Sequence, residues 1–576
     1  MEAPGNKFFF TTYGDFVLPE ARCLSRLATK VVSNYTLNFY SACRHRLVVR
    51  TRGFQSRNRS STLRGGTVSS KYYLKVARAN DLKKPRERAL FRLFEILPGL
   101  LSWSTFGAII LFSWLAPSLT AIFIILFVVY WFVKITYFSF YLKSGYEKMR
   151  KREKINWLKK LRRIKNWQKI YHLVLIPVYK EPLEILEASI SSIKKSDYPK
   201  SRMIIVLSYE ERAGKETEKN VLILKKRFSK DFFKFSLTCH PKDLEGEIPG
   251  HGSNDAWASK FAKEKIIDPL SIPYENVIVS FFDADTVVFP QYFSCLTYHY
   301  LTSPEPCRTS FQPIPLYINN IWQSPAFSRI FAFSSTFWHT MNQERPEKLI
   351  TFSSHAMSFK ALVEVGFKQK NVVSDDSRIF WQCFFNYDGN YRVQPLFYPL
   401  SMDANCAKST LKTAVNIYRQ QRRWAYGVAE IPYFLFGCLK NKKVPFLKKL
   451  SLGFDLLEGH WSWATASLII FLLSWAPIFL GGSKFSQTLL SYNLPIMTSR
   501  ILTIATFGII FNCYLSIILL PPKPPNYGRY KYLLFAFSWI LLPAIMIFFS
   551  SLPALEAQTR LMLGKYMGFW PTEKIR

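Results

Sequence analysis

The chain alternates between long apolar runs and segments that switch period. From Leu97 to Val133 no charged residue occurs. That is too long for one membrane span and suits two, since a spanning helix needs about 20 apolar residues. Pro117 marks the turn between them, and the second span runs past Lys134, which can snorkel. Lys148-Met-Arg-Lys-Arg152 and Lys159-Lys-Leu-Arg-Arg163 follow. Positive charge flanks spans on the cytoplasmic side, so the segments before and after this hairpin are expected in the cytosol.

From His172 to about Tyr426 the pattern is that of an α/β domain. Leu173 to Pro177, Met203 to Leu207 and Val277 to Phe282 read as buried strands, and Pro182 to Ile193 as a helix with Leu183, Leu186, Ile190 and Ile193 on one face. Apolar density then returns. Spans are expected over Trp461 to Leu480, Ile501 to Leu520 and Leu533 to Leu552. Phe434 to Leu452, with five lysines, reads as an amphipathic segment on the membrane surface. The basic loop Lys523 to Lys531 belongs in the cytosol, and three late spans would leave the C-terminus outside. The tail Arg560 to Arg576 is nonetheless basic. The two signals conflict unless one late span is re-entrant.

The expected partition is a basic, disordered N-terminal tail (1–95), a transmembrane hairpin (96–145), a basic cytosolic linker (146–170) and a cytosolic catalytic domain (171–430). An interfacial segment (431–455), about three transmembrane helices (456–555) and a C-terminal tail (556–576) complete it.

Composition sharpens this. Lys and Arg number 77 against 39 Asp and Glu, a net charge of +38, which calls for an anionic neighbour. The excess flanks the apolar runs, so membrane headgroups fit best. Arg44-His-Arg46, Arg50-Thr-Arg52 and Arg57-Asn-Arg59 could form a nucleic-acid-binding arm, but no recognised nucleic-acid-binding motif accompanies them, so nucleic acid is not expected as a partner. A disordered tail fits better. A translation artefact is a third reading, because only Met1 and Met149 precede the catalytic domain. The nine cysteines form no C-x-x-C and read as reduced thiols. No N-terminal secretory signal is seen, and an integral protein of a prokaryotic plasma membrane is the expected setting.

The chemistry begins where the strand at Val277 ends in two carboxylates, Asp283 and Asp285. Such a pair at a strand end can hold a divalent cation against an anionic substrate. Alone the pattern also describes a solvated turn. Ser374-Asp-Asp376 offers a second acidic pair, which reads equally as a helix N-cap, and Gln420-Gln-Arg-Arg-Trp424 combines guanidinium and indole groups.

Taken in order, Ile176-Pro-Val-Tyr-Lys-Glu-Pro182, Asp283-Ala-Asp285, Ser374-Asp-Asp376 and Gln420-Gln-Arg-Arg-Trp424 resemble the inverting membrane glycosyltransferases of family 2, such as cellulose, chitin and hyaluronan synthases and ceramide glucosyltransferase. The resemblance covers roughly His172 to Trp424. It implies a glycosyltransferase-A type, Rossmann-like α/β domain with flanking transmembrane helices, and a hexosyltransferase using a nucleotide-sugar donor, with a UDP-sugar expected, and a lipid or glycan acceptor. It implies that Asp283 and Asp285 hold Mg²⁺ or Mn²⁺ and that Asp376 is the base, with Asp375 the second choice. Pro177, Tyr179, Glu181, Glu210, Asn254, Asp283, Gln420, Arg423 and Trp424 would bind the nucleotide sugar, and His355 the acceptor.

Two positions depart from the family. Ser208-Tyr-Glu-Glu-Arg212 stands where an aspartate usually reads the nucleobase, and Glu210 could do that work or be a loop charge. Gly250-His-Gly-Ser-Asn254 carries His251 where relatives have Lys, a weaker phosphate contact at neutral pH. These departures keep a second reading open: a non-catalytic membrane relative acting as a partner in envelope glycan assembly. Polymer synthase or single-addition lipid transferase, and the oligomeric state, stay undecided.

Overall fold

A computed structural model describes residues 71–525, 527–528 and 530–568. Most of the expected tail, with Cys23 and Cys43, lies outside the described residues. The remaining seven cysteines are free thiols.

The principal strands are β1 Tyr171–Val178, β2 Met203–Glu210, β3 Lys234–His240, β4 Val277–Phe281, β5 Val287–Val288, β6 Thr309–Tyr317, β7 Ala356–Ser358 and β8 Arg392–Met402. They form one sheet in the order β3-β2-β1-β4-β7-β6-β8-β5. β3, β2, β1 and β4 are parallel, β7 runs antiparallel to β4 and β6, and β8 returns parallel to β6. Leu173 to Ile176 and Met203 to Leu207 are fully buried, because helices cover both faces of the parallel half. The carboxyl ends of β1, β2 and β4 therefore open on one edge, where ligands bind in folds of this kind.

The principal helices are α1 Pro85–Leu115, α2 Pro117–Glu153, α3 Leu183–Lys195, α4 His251–Ala262, α5 Ala326–Asn342, α6 Asp375–Asn386, α7 Thr410–Ala425, α8 Glu430–Lys440, α9 Phe446–Phe471, α10 Leu489–Ile518 and α11 Tyr530–Met562. α1 and α2 turn at Pro117, as the sequence predicts. α1, α2, α10 and α11 are long and apolar enough to cross a membrane, and α9 with Leu473–Leu480, bent by 53°, makes a possible fifth.

Several expected boundaries move. Residues 71–95 do not trail away: Tyr73, Leu74, Val76, Ala79 and Leu82 are buried, and Lys71 Nζ donates to Asp388 Oδ1 at 2.7 Å. Glu95 is buried inside α1 and accepts from Tyr566 Oη at 2.9 Å. The stretch expected at the membrane surface divides in two. α8 buries Ile431, Tyr433, Phe434 and Phe436 against the domain, whereas the start of α9 exposes Phe446, Leu447, Leu450 and Phe454. Its lysines mislead because Lys448 and Lys449 donate to backbone carbonyls of Gly389, Cys438 and Asn441. Residues 556–562 belong to α11 rather than to a tail.

Candidate active site

β4 delivers Asp283 to the open edge. Ser353 Oγ donates to Asp283 Oδ2 at 2.8 Å, and His251 Nε2 lies 3.1 Å from Asp283 Oδ1. Asp285 points inward instead. It is buried, and its Oδ2 accepts from the Asp403 amide at 2.8 Å.

α6 opens with Asp375 and Asp376 in its first turn, where the helix dipole favours anions. Ser374 precedes them at the cap position, but its hydroxyl donates to Glu430 Oε1 at 2.5 Å instead of capping the helix. Arg378, one turn on, donates to Glu430 Oε2 at 2.6 Å and lies 3.9 Å over the Tyr433 ring. α6 is thus tied to the start of α8 by a buried ion pair.

Lys368 organises the acids. Its fully buried Nζ lies 2.8 Å from Asp255 Oδ2, 2.9 Å from Asp375 Oδ2 and 2.8 Å from Asp376 Oδ1. A buried ammonium needs such partners to stay charged. The two adjacent acids differ as a result. Burial raises Asp376 to about 6 although Lys368 opposes the shift. Burial also acts on Asp375, but Lys368 and His251 hold it well below the usual carboxylate range. The Asp376 side chain is 25% exposed and that of Asp375 7%, so Asp376 is the acid with access to the cleft. Gly252 permits this crowding: a methyl group there would sit 2.6 Å from Asp375 Cβ.

His251 completes the cluster. Its Nδ1 lies 3.2 Å from Asp255 Oδ2 and 3.5 Å from Asp375 Oδ2. Burial disfavours its charge, yet Asp255, Asp283 and Asp375 raise its pKa well above the ordinary value. His251, Asp375 and Asp376 each present a ligand atom within 4.8 Å of the others, and Asp283 adjoins His251. Carboxylate oxygens with one imidazole nitrogen fit a divalent cation such as Mg²⁺ or Mn²⁺.

From the other side, α7 brings up Arg423, which interacts electrostatically with Asp283, Asp375 and Asp376. Trp424 packs on Phe331 of α5, ring centroids 5.7 Å apart, and Gln420 Oε1 accepts from Asn405 Nδ2 at 3.3 Å. Tyr317, at the end of β6, is buried and lies within electrostatic reach of Asp283, Asp285, Asp376 and Arg423.

The nucleobase end is built around β1 and β2. After Pro177, the Tyr179 amide donates to Glu181 Oε2 at 2.7 Å. Glu210 is buried and paired with Arg212, whose guanidinium lies 4.5 Å over the Tyr179 ring. Asn254 is buried and donates through Nδ2 to the Ser208 carbonyl at 2.8 Å, tying α4 to β2. The structure does not leave His355 facing an acceptor. It is buried, its ring packs on Phe281, its Nδ1 lies 3.6 Å from Asp376 Oδ1, and burial lowers its pKa to about 3. Sequence reading missed Lys368, Asp255 and Tyr317. Lys368 follows Gly366-Phe367 with no spacing that marks it, and only the fold brings Asp255 to its ammonium.

Residues 278–552 match the sequence profile of the family described as Glycosyl transferase family group 2. No curated protein matches the chain by sequence. Among solved structures, the chain is similar to the mannosyltransferase PcManGT from Pyrobaculum calidifontis in complex with GDP-Man and Mn²⁺, at 14% identity and TM-score 0.39. The match covers 75% of this chain and 100% of that one. It is also similar to residues 1–349 of TarS from S. aureus, including the complex with UDP-GlcNAc. That identity is 11% and the TM-score 0.33, covering 69% of this chain and 93% of the other.

Proposed function

We propose that this chain, which carries a family 2 glycosyltransferase domain in a glycosyltransferase-A-like fold, moves a sugar from a nucleotide-diphosphate donor to a hydroxyl of a membrane lipid or growing glycan, inverting the anomeric centre. The observation that carries this reading is that Asp283 and Asp376 lie within electrostatic reach of Arg423, with Asp375 withdrawn on Lys368.

In this reading Asp376 accepts the proton of the acceptor hydroxyl as the acceptor oxygen bonds to the anomeric carbon. The bond from that carbon to the phosphate oxygen breaks, and the nucleoside diphosphate leaves with the electron pair. Arg423 is suited to the departing diphosphate because its planar fork matches phosphate oxygens. Asp283, with His251 beside it, would hold Mg²⁺ or Mn²⁺, which would supply positive charge for the leaving group, while Asp285, turned inward onto the Asp403 amide, would brace the turn behind it. Tyr179, Glu210 and Arg212 are assigned to the nucleobase. Their carboxylate and guanidinium offer an acceptor beside a donor, which suits the N–H and carbonyl edge of uracil and supports a UDP-sugar. Trp424, on a helix beside the apolar spans, is assigned to the acceptor, and the basic flanks of α2 support a cytosolic domain.

The test is a donor screen with purified protein, Mn²⁺ and mixed lipids, following release of nucleoside diphosphate. Release that requires Asp376 supports the reading. No release from any common nucleotide sugar, or full activity in Asp376→Asn, would overturn it.

A further inference from the structure

α11 has the length and apolarity of a span, yet both of its ends rest on the catalytic domain. At 33 residues it is about 50 Å long, more than a hydrocarbon core of about 30 Å requires. At its start, Trp322, from the segment after β6, packs on Tyr527, Tyr532 and Phe535 at 6.0, 5.5 and 5.0 Å, and donates through Nε1 to the Pro521 carbonyl at 3.2 Å. Along its middle it pairs with α5 in antiparallel order: Trp539 stacks on Phe337 and Phe549 on Phe327. Near its end, Glu556 accepts from Arg422 at 2.6 Å and from Tyr418 Oη at 2.9 Å, both on α7. In its last turn, the Leu561 carbonyl accepts from Arg92 of α1 at 2.9 Å. Tyr566 and Met567 line a small cavity with Ile248, Asn371 and Ser374, next to the acids of α6.

The other apolar helices behave differently. Gly481, past the bend that follows α9, lies against Pro117 at the hairpin turn, where an added methyl would be 2.9 Å from Pro117 Cβ. α10 starts beside that turn, with Leu494 packed on Ala121 and Ile124. The residue after α10, Leu519, packs on Met149, Ile314 and Leu316 at the domain.

We propose that α11 lies in the plane of the membrane interface, on the catalytic side. Its outer face, with Leu533, Phe537, Ile540 and Phe548 all more than half exposed, meets the acyl boundary of the bilayer. Four segments then cross: α1, α2, the bent pair formed by α9 and Leu473–Leu480, and α10. Lys565, just past α11, then lies on the side of the active site, which agrees with the basic residues that flank α11 in the sequence. α11 also clamps the helix that carries Gln420 to Trp424.

The placement does not rest on the sugar-transfer reading, and its test reads no activity. Full-length protein in sealed vesicles of one orientation is treated with trypsin, and fragments are identified by mass. Cleavage after Lys565 is expected from the same face as cleavage after the domain residue Lys242, both exposed. Cleavage after Lys565 from the opposite face overturns the proposal. Spin labels at Leu533→Cys and Phe548→Cys should report equal depth. In a crossing helix they would differ by about 20 Å, at roughly 1.5 Å per residue, and unequal depths overturn the in-plane placement.

Discussion

Lys368 Nζ sits 2.8 Å from Asp376 Oδ1 and is fully buried, so one ammonium opposes the effect of burial on the acid that faces the cleft. The same nitrogen holds Asp375 and Asp255.

Asp376→Asn keeps the shape of the side chain and removes its basicity. Turnover should fall by about 10²–10⁴-fold with donor affinity little changed. Asp375→Asn should instead lower thermal stability, because Asp375 is withdrawn onto Lys368 and His251. Parallel measurement of kcat, donor affinity and melting temperature separates the two.

Because burial raises Asp376 to about 6, its acidic limb lies within reach. Only the ionised carboxylate accepts a proton, so activity is present above that pH and lost below it. kcat/KM should drop about tenfold per unit on the acid side. A flat profile between pH 5 and 8 would refute the assignment.

Removing the ammonium should do two things. Lys368→Met leaves three carboxylates without their shared cation, at a cost of about 3–5 kcal/mol. In whatever protein still folds, the acidic limb moves to higher pH, since Lys368 was lowering the Asp376 pKa. Denaturation and the pH profile of the same preparation check both effects.

Gly252→Ala should disturb the site through space alone. The new methyl would meet Asp375 Cβ at 2.6 Å and Cγ at 3.0 Å, and overpacking of this kind costs about 1–3 kcal/mol. Activity should decline more than stability does, because the displaced group adjoins Asp376. Unchanged kcat would argue against a tight fit.

Chelation tests the cation. Treatment with EDTA should weaken donor binding, read by calorimetry, with recovery on adding Mn²⁺ or Mg²⁺. Asp283→Asn should bind the donor weakly whether or not metal is present.

What the sequence made legible was local. Pro117 in an uncharged run predicts the hairpin, and the apolar run ending at Asp283 predicts a strand that delivers a carboxylate. What it hid depends on contacts between distant segments. Hydropathy reports what α11 is made of but not that Phe327 and Phe337 lie alongside it. His355 and Asn254 carry polar groups that suggest a ligand, and the fold spends them on Phe352 and Ser208. Glu210 reads as a nucleobase contact or a loop charge, and only the fold shows it buried and paired with Arg212. The lysines near α9 look like lipid anchors, yet two of them satisfy carbonyls.

The Arg378–Glu430 pair has a mechanical consequence. It joins the first turn of α6, and therefore the two acids, to the stretch of chain that runs through α8 into the bilayer. In the proposed reaction, strain applied by lipid at α9 would reach Asp376 through this pair, and turnover is expected to vary with acyl thickness. Turnover in thin and thick reconstituted bilayers reads that coupling, and identical rates in both would show the tether to be slack.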